Sequence, residues 1–257
     1  MPYSLLAEDE PAPVLSLRGD SCSPFVITVD HASKRIPRRL GALGLPPSEL
    51  ERHIAWDIGA LAVGTQVAEK LDAALVAQNY SRLVIDCNRD VRHPSSIPLV
   101  GESTAIPGNF SLSQEQITAR QREFFEPYHT HIRALLDERL RAGRRTILVT
   151  QHSMTEVFKG EQRLMHAAVL YNRDRRFATL VLKNLRRETG LIVAENEPYA
   201  ASDEVDYTIP HHAEARGLPY VELEIRQDLI AHDSGQTAWA NRIADALQRA
   251  AHVFLER

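Results

Sequence analysis

The amino-acid sequence predicts an α/β fold with a mostly parallel or mixed central sheet and helices on both of its faces. Short runs rich in aliphatic and β-branched residues alternate with longer stretches of helical pattern, which is typical of such folds. The 257 residues are 44% hydrophobic and 25% charged, as expected of a soluble globular protein. This length suits one large α/β domain with a full core, and two small domains are the weaker alternative.

The first predicted strand marks the start of the domain. Residues 1–23 carry several prolines and acids and are expected to form a loosely ordered lead-in. Residues 24–29 follow as a nearly continuous apolar run, which is typical of a strand buried on both faces. We therefore assign residues 24–257 to a single domain.

The next elements continue the alternation of helices and strands. Asp57 stands where a helix N-cap belongs, ahead of an apolar stretch that ends near Leu71. Residues 74–77 and 83–86 are predicted to form two short strands. Residues 94–109 contain several prolines, glycines and serines and are expected to form a long surface loop, a kind of segment that is usually functional or mobile.

A capping box predicts the start of a long helix. Ser113 and Gln116 have the spacing at which each side chain bonds the backbone amide of the other. The helix is expected to run to about Ala142, where Gly143 ends it. The remaining predicted elements are strands at 147–151, 167–171, 191–194 and 220–225 and helices at 175–188 and 236–254.

Charge and cysteine content narrow the functional classes. The net charge is −4 and the pI is about 6.3, with acidic and basic residues interspersed, so no basic stripe for nucleic acid is expected. Cys22 and Cys87 are too few for a disulfide framework, and a reducing cytoplasm is the expected compartment. Neither a signal peptide nor a membrane-spanning segment is expected.

Two histidines stand at the predicted exits of strands. His31 follows the run at 24–29, and His152 follows the run at 147–151. In open α/β sheets, sites assemble at the carboxyl ends of the strands, and neutral imidazole is a common zinc ligand. Each histidine alone is more simply explained as a hydrogen-bonded surface residue. Two of them at separate strand exits favour a zinc hydrolase.

The residues alone leave the third metal ligand open. Asp57 is a carboxylate at a helix start, and His53 lies one helical turn earlier. Because an N-cap role explains Asp57 completely, the pattern favours that structural role. Asp30 is a poor partner for His31, since successive strand residues point to opposite faces of a sheet.

Two carboxylates share one face of the last predicted strand. Glu222 and Glu224 alternate with apolar residues, so both side chains point the same way. A buried carboxylate beside zinc is suited to act as general base on water. The alternative is the solvent-facing side of an edge strand. The position ahead of Arg226 makes Glu224 the stronger candidate for the base.

Candidate substrate-binding residues flank two further predicted strands. Arg82 and Arg89 lie on either side of one strand, and arginine forks bind carboxylates, which points to an acidic small-molecule substrate. Ordinary surface salt bridges are the alternative for these two residues. Asn196 and Tyr199 follow another strand and offer amide and phenol groups for hydrogen bonds to a substrate.

Several of these segments together resemble the N-formylglutamate amidohydrolase family. They appear in the family's order and span roughly residues 25–230. They are Asp-His-Ala-Ser at 30–33 with Ile-Pro at 36–37, Trp-Asp-Ile-Gly-Ala at 56–60, Tyr-Ser-Arg-Leu-Val-Ile-Asp-Cys-Asn-Arg at 80–89, His-Ser at 152–153, Asn-Glu-Pro-Tyr at 196–199 and Glu-Leu-Glu-Ile-Arg-Gln-Asp-Leu at 222–229. The blocks at 80–89 and 196–199 are the specific ones, whereas the His-Ser pair alone would mean little.

The resemblance implies a fold and a metal site. The family is related to the zinc carboxypeptidases and has a phosphorylase/hydrolase-like α/β fold, like other zinc exopeptidases, with one zinc ion expected. His152 with Ser153 resembles the carboxypeptidase zinc histidine, and the strand of Glu224 resembles the one that bears their catalytic glutamate. Carboxypeptidases place a glutamate ligand three residues after the first zinc histidine, and this chain has Lys34 there. Asp57 is therefore the expected third ligand.

The chain also departs from the family pattern in two places. The His-Ser pair at 152–153 is commonly followed by Phe-Thr-Pro, whereas this chain has Met-Thr-Glu at 154–156. If this segment lines the site, Glu156 brings a negative charge to it. Asp30 stands where glutamate is frequent in the family.

The resemblance further implies a role for each candidate residue. The expected metal ligands are His31, Asp57 and His152, with Glu224 as the general base. The residues expected to bind the substrate, with the arginines on its carboxylate, are Arg82, Asn88, Arg89, Asn196 and Tyr199.

The activity implied is a zinc-dependent hydrolysis of N-formyl-L-glutamate to formate and L-glutamate, at the end of a histidine-degradation route. One alternative is a zinc carboxypeptidase or deacylase that acts on another N-acyl amino acid or a short peptide. The other is a metal-free protein of the same fold that binds acidic ligands. The sequence leaves open whether the protein is a monomer or a homodimer.

Overall fold

The computed structural model describes residues 4–158 and 160–256, which form eleven β-strands and six α-helices. The strands are β1 (Val14–Leu17), β2 (Phe25–Val29), β3 (Ala74–Gln78), β4 (Val100–Gly101), β5 (Thr104–Ala105), β6 (Ile147–Met154), β7 (Val157–Phe158), β8 (Glu161–Gln162), β9 (Ala167–Leu170), β10 (Val193–Glu195) and β11 (Tyr220–Arg226). The helices are α1 (Pro47–Leu50), α2 (Ala60–Leu71), α3 (Gln114–Arg120), α4 (Glu126–Arg141), α5 (Arg176–Leu185) and α6 (Asp233–Leu255). No helix within these ranges is both long and apolar enough to cross a membrane.

Seven strands form the central sheet, in the order β1-β3-β2-β6-β11-β9-β10. The central strands β3, β2, β6 and β11 run parallel to one another. β1 is antiparallel to β3, and β9, which pairs in parallel with β10, is antiparallel to β11. The predicted mixed α/β sheet is therefore confirmed. The carboxyl ends of β2, β6 and β11 meet at one end of it, where sites of such folds assemble.

Helices cover both faces of this sheet, each over its own apolar core. On one face, Val63 of α2, Phe177 of α5 and Trp239 of α6 belong to one buried cluster with strand side chains. On the other face, Tyr128 and Ile132 of α4 belong to a second buried cluster. β2 is buried along its whole length, as expected of a strand covered on both sides.

The helix predicted from the capping box is confirmed. Ser113 Oγ accepts a hydrogen bond from the backbone amide of Gln116 (3.3 Å), and Gln116 Oε1 accepts one from the backbone amide of Ser113 (2.9 Å). α3 continues through a π-helical segment, Gln121–Phe125, into α4. Gly143 follows with a positive φ of 65°, the conformation in which glycine often ends a helix.

The strand predicted at 83–86 does not form, and this segment is a buried turn. The buried Asn109 side chain donates a hydrogen bond to Leu83 O at 2.9 Å. Likewise, the buried Arg120 guanidinium donates to Val84 O at 3.0 Å. These side chains satisfy backbone carbonyls that a neighbouring strand would otherwise bond. The apolar residues of this run are buried, as the pattern suggests. Burial alone, however, does not make a segment a strand of the sheet.

The segment predicted as a lead-in, residues 1–23, is more ordered than expected. β1 forms the edge strand of the central sheet. Leu5 is buried, and the backbone amides of Leu5 and Leu6 donate to Glu123 Oε2 at 2.8 and 2.9 Å. Residues 1–3 lie outside the described ranges. That the rest of the chain forms a single domain stays a prediction.

Two small hairpins lie outside the central sheet. β4 and β5 pair within the loop predicted at 94–109, and Ile106 just beyond them is buried. β7 and β8 pair shortly after β6. Both hairpins contribute residues to cavities near the carboxyl ends of the central strands.

Candidate metal centre and active site

A cavity of about 320 Å³ opens at the carboxyl ends of β2, β6 and β11. His31 lies just after β2, His152 lies in β6, and Glu224 lies in β11. β6 continues to Met154, so His152 is inside the strand and not at its exit as predicted. The other residues that line the cavity are His53, Asp57, Arg82, Asn88, Arg89, Ser153, Tyr199, Ala200, Val205, Asp206 and Glu222.

Three buried side chains converge at the wall of this cavity. His31 Nδ1 lies 3.4 Å, and His152 Nδ1 2.8 Å, from the same oxygen of Asp57, Oδ2. One ligand atom from each of the three residues lies within 4.8 Å of the other two. Two imidazoles and a carboxylate, with a fourth position left for water, form a common ligand set of catalytic zinc. The cluster therefore fits one divalent cation.

The second nitrogen of each histidine faces a further carboxylate, and this feature was missed from the sequence. His31 Nε2 lies 2.7 Å from Asp86 Oδ1, and His152 Nε2 lies 3.2 Å from Asp30 Oδ2. Metal-bound histidines typically donate their other N–H to such a carboxylate, which fixes the tautomer and the ring orientation. With Nε2 facing these carboxylates, Nδ1 of both histidines is directed at Asp57 Oδ2, the arrangement in which the three groups could share a cation.

Asp30 is itself firmly held. Tyr128 OH and Thr208 Oγ1 each donate a hydrogen bond to Asp30 Oδ1 at 2.8 Å. Because its side chain points away from that of His31, we did not expect it in the site. The same orientation brings it to His152 on the neighbouring strand. Asp30 and His31 are adjacent in the sequence, which was a signal that Asp30 belongs to the site. Only the pairing of β2 with β6 shows that its partner is His152.

The protonation states of this cluster favour one positive charge. Burial and the charge of Arg82 lower the pKa of His31 to about 4, so its ring is neutral. Burial also acts on His152, but its close contact with Asp30 and the charges of nearby carboxylates outweigh it and raise its pKa to about 9. Burial opposes the ionisation of Asp30 and Asp86, yet the histidines hold the pKa of both below the ordinary range. A metal ion can supply the positive charge that these carboxylates stabilise.

Asp57 does not cap the following helix, so the structural role favoured by its position is wrong. α2 begins at Ala60, and Gly59 occupies the N-cap with a positive φ of 79°. A Cβ atom at Gly59 would lie 2.3 Å from Ile230 O, so only glycine fits this turn. The turn leaves the Asp57 carboxylate facing the histidines, while Arg82 contacts its other oxygen, Oδ1.

Glu224 lies beside the histidine cluster with one free oxygen. β11 pairs in parallel with β6 and places Glu224 opposite His152. Tyr199 OH donates a hydrogen bond to Glu224 Oε1. Oε2 is buried and has no hydrogen-bond partner within the described ranges. Since β11 is a central strand, the alternative of a solvent-facing edge strand is wrong. One oxygen of this cavity-lining carboxylate is therefore left without a hydrogen bond from the residues that the structure describes.

Glu222 shares this face of β11 and has a raised pKa. Thr150 Oγ1 donates to Glu222 Oε2 at 3.3 Å. Burial and the nearby Asp206 carboxylate raise the pKa of Glu222 to about 8. Near neutral pH, Glu222 is thus mostly a neutral acid, although it lines the same cavity as Glu224.

The predicted substrate-binding arginines both lie on the cavity wall. Arg82 contacts Asp57, so part of its charge is already balanced. Arg89 Nη1 donates to the backbone oxygen of Asn88 at 2.8 Å and lies 3.4 Å from Asp206 Oδ1. These contacts orient both guanidinium groups, and their remaining N–H groups are suited to bind a carboxylate.

Asn88 lines the cavity, but its side chain is occupied by the protein. Its Nδ2 donates to Asp206 Oδ1 at 3.0 Å. Its Oδ1 accepts hydrogen bonds from the backbone amides of Tyr207 and Thr208, both at 3.0 Å. Asn88 thus holds the segment that carries Asp206 and orders the cavity wall. Its direct contact with a substrate stays a prediction.

Asn196 does not line the cavity, and its contact with a substrate stays a prediction. Its Oδ1 accepts a hydrogen bond from the backbone amide of Tyr171 at 2.9 Å. Its backbone has a positive φ of 49°, a conformation that asparagine tolerates better than most residues. Asn196 therefore shapes the turn that carries Tyr199 to Glu224.

Two positions that depart from related patterns lie away from the cavity. Glu156 Oε2 accepts a hydrogen bond from Gln227 Nε2 at 3.1 Å. The Glu156 carboxylate, expected near the site, therefore points away from the cavity. Its neighbour Thr155 faces a second chamber instead. Lys34 pairs with Glu51 at the surface and takes no part in the histidine cluster.

The sequence and the fold are both similar to known proteins. The sequence profile of the N-formylglutamate amidohydrolase family matches residues 23–231. The crystal structure of a gene product from Agrobacterium tumefaciens has a TM-score of 0.94 and 37% sequence identity, with 97% of this chain and 99% of that chain covered. The crystal structure of N-formylglutamate amidohydrolase from Ralstonia eutropha has a TM-score of 0.72 and 20% identity, with 96% and 100% covered. No curated protein matches the chain.

Proposed function

We propose a specific reaction from one premise: the chain belongs to the N-formylglutamate amidohydrolase family, and is an amidohydrolase. The reaction is the metal-dependent hydrolysis of N-formyl-L-glutamate to formate and L-glutamate. The observation that carries the proposal is the His31, Asp57 and His152 cluster beside the unpartnered Glu224 Oε2. A small amide that carries carboxylates suits a cavity of about 320 Å³ with two arginines on its wall.

The metal ligands in this proposal are His31 Nδ1, His152 Nδ1 and a carboxylate oxygen of Asp57. Zinc suits this mixture of nitrogen and oxygen ligands. A bound zinc ion polarises the amide carbonyl and lowers the pKa of water from about 15.7 towards about 7. Asp86 and Asp30 hold the two imidazoles in place through their Nε2 atoms.

Glu224 carries the proton in this mechanism. Its free Oε2 takes a proton from the attacking water as the new C–O bond forms at the formyl carbon. When the C–N bond breaks, Glu224 passes that proton to the departing amine nitrogen, which leaves L-glutamate and formate. Tyr199 keeps Oε1 occupied and so directs the other oxygen into the cavity.

Arg82 and Arg89 bind the α-carboxylate of the substrate in this proposal. The α-carboxylate is attached to the same carbon as the scissile nitrogen, so it must lie close to the histidine cluster. Both arginines line the cavity, and each is oriented by a protein carboxylate. A fixed guanidinium loses little rotamer entropy when it binds an anion.

Formate release from N-formyl-L-glutamate is the test. We expect formate release by the zinc-loaded protein and its loss after chelation. We also expect much slower hydrolysis of N-acetyl- and N-succinyl-L-glutamate, followed through the L-glutamate that all three compounds release. Faster hydrolysis of the acetyl or succinyl compound would favour the deacylase alternative. Tight binding of glutamate derivatives without any hydrolysis in the presence of zinc would favour a binding protein.

A further inference from the structure

A second chamber of about 330 Å³ adjoins the catalytic cavity. The two share four wall residues, His53, Arg82, Arg89 and Tyr199, so the arginines stand at their junction. The outer wall of the second chamber includes Arg163, a residue to which neither the sequence nor the mechanism above assigns a role. A substrate bound at the histidine cluster can therefore extend past the arginines towards Arg163.

The charged residues of this chamber are paired, with one exception. Asp86 bonds His31, and Glu102 bonds Arg52 at 2.6 Å. Each junction arginine also faces a protein carboxylate, as described above. Among the residues that the structure describes, no carboxylate lies within salt-bridge distance of Arg163. A cation without a counter-ion at the wall of a chamber is a site that attracts an anion.

The guanidinium of Arg163 is held in place by neutral groups. Its Nη1 atom lies 3.3 Å from Thr155 O and 3.5 Å from Thr155 Oγ1. The group also lies over the ring of Phe158, with 5.0 Å from Cζ to the ring centroid. Nε and Nη2 make no hydrogen bond within the described ranges. These contacts orient the fork while they leave N–H donors for a ligand.

We propose that Arg163 binds the side-chain carboxylate of the substrate and thereby makes the enzyme selective for amides of acidic amino acids. This inference rests on the proposed function and names its substrate preference. In N-formyl-L-glutamate, two methylene groups separate the α-carbon from the side-chain carboxylate. With the α-carboxylate at the junction arginines, the methylene groups lie along apolar wall residues such as Ile54 and Pro98, and the second carboxylate reaches Arg163.

The test compares two substrates in one variant. N-formyl-L-glutamine has nearly the same shape as N-formyl-L-glutamate but carries a neutral amide at the end of its side chain. For Arg163→Met we expect kcat/KM on N-formyl-L-glutamate to fall on the order of 10- to 100-fold, mainly through KM, because a charged hydrogen bond is lost. For N-formyl-L-glutamine we expect little change. Arg163→Lys keeps the charge and should recover part of the preference for the acid.

Arg249→Met is the matched control, since it removes the same charge from an exposed position on α6 that pairs with Asp245. It should leave both substrates unaffected. An equal fall for both substrates in Arg163→Met and Arg163→Lys would mean that Arg163 only supports the hairpin, and would overturn the inference. Unchanged kinetics in Arg163→Met would also overturn it.

Equilibrium binding separates this inference from the proposed function. We expect wild-type protein to bind L-glutamate more tightly than L-glutamine in calorimetry, and Arg163→Met to lose this difference. Absence of the difference in wild-type protein would overturn the role of Arg163. If the zinc-loaded protein released no formate but kept an Arg163-dependent preference for L-glutamate, the reaction would be wrong while the carboxylate site remained supported.

Discussion

Two buried pairs of histidines lie in this protein, and they differ in what surrounds them. The rings of His31 and His152 have centroids 5.1 Å apart, as do those of His129 and His212. In the first pair, both nitrogens of each ring face a carboxylate. In the second pair, His129 Nδ1 bonds His212 Nε2 at 2.8 Å, and His129 Nε2 bonds the backbone oxygen of Cys87 at 2.8 Å.

The different surroundings give the two pairs a different electrostatic character, and the difference lies in His152. Burial lowers the pKa of His129 to about 4, and burial together with His129 lowers that of His212 to about 2. This pair stays neutral and contributes to the core. In the first pair, the pKa of His31 is likewise lowered, to about 4, but nearby carboxylates raise the pKa of His152 to about 9 and stabilise one positive charge. Neighbouring carboxylates, and not burial or the histidines themselves, therefore distinguish the proposed metal site from a structural pair.

The largest expected effect comes from the carboxylate that the first pair shares. Asp57→Asn keeps the size of the side chain but removes the charge that balances a cation. We expect loss of bound zinc and of formate release, measured by elemental mass spectrometry and a formate assay. His129→Gln is the control and should retain one zinc per chain. If Asp57→Asn kept its zinc and its full activity, neighbouring carboxylates would not be what makes the first histidine pair, and not the second, a metal site.

Glu224→Gln separates the metal site from the chemistry that we assign to it. We expect kcat to fall by about 10²- to 10⁴-fold, since the proton acceptor is lost, while the zinc content stays the same. Glu222→Gln is a close control, because the raised pKa of Glu222, about 8, already makes it mostly neutral at pH 7. Near-wild-type turnover by the Glu224 variant would exclude it as the base.

Asp86→Asn should have a smaller effect that acts through His31. We expect the zinc affinity to fall about 10- to 100-fold, because the hydrogen bond that orients a metal-bound histidine is weakened. Competition with a chelator of known affinity measures this change. Asp90→Asn, at an exposed pair with Arg92, provides the comparison and should leave the affinity unchanged. Equal affinities in all three proteins would mean that Asp86 does not support the metal ligand.

For the second pair, His129 and His212, we expect the smallest effect, a dependence of the free energy of unfolding on pH. The folded-state pKa of His129 is about 4, below the ordinary value of 6.5, so between these values the unfolded chain binds a proton that the folded chain does not. The free energy of unfolding therefore falls as the pH drops from 6.5 to 4. In His129→Gln this fall should be less steep, as measured by urea denaturation at several pH values. An identical pH slope in both proteins would contradict a neutral buried His129.

Sequence reasoning placed candidate residues correctly in the fold where the local pattern determines their position. His31 follows a continuous apolar run, and Glu224 lies in a strand where polar and apolar residues alternate. The parallel strands β2, β6 and β11 bring the two residues to the same end of the sheet. The resemblance, and not the local pattern, selected Asp57, whose cap-like setting suggested a structural role. Asp30 and Asp86 could not be found in this way, because each meets its histidine only through the packing of segments distant in the chain.

The differences between prediction and structure have a common physical cause. The apolar run at 83–86 was predicted to be a strand, but buried side chains of Asn109 and Arg120 bond its carbonyls instead. Asn196 belongs to a specific motif, yet its amide shapes a turn through Tyr171. A local pattern shows that a segment is buried or that a side chain is constrained. It does not show which partner provides the constraint, since that depends on tertiary contacts.

The measurement that tests the central claim most directly is zinc titration of the chelated wild-type protein, with formate release from N-formyl-L-glutamate as the readout. We predict no release without metal and a linear recovery that reaches its plateau at one zinc per chain. Full release by metal-free protein, or none from protein that has bound one zinc, would contradict the assignment of the His31, Asp57 and His152 cluster as a catalytic metal centre.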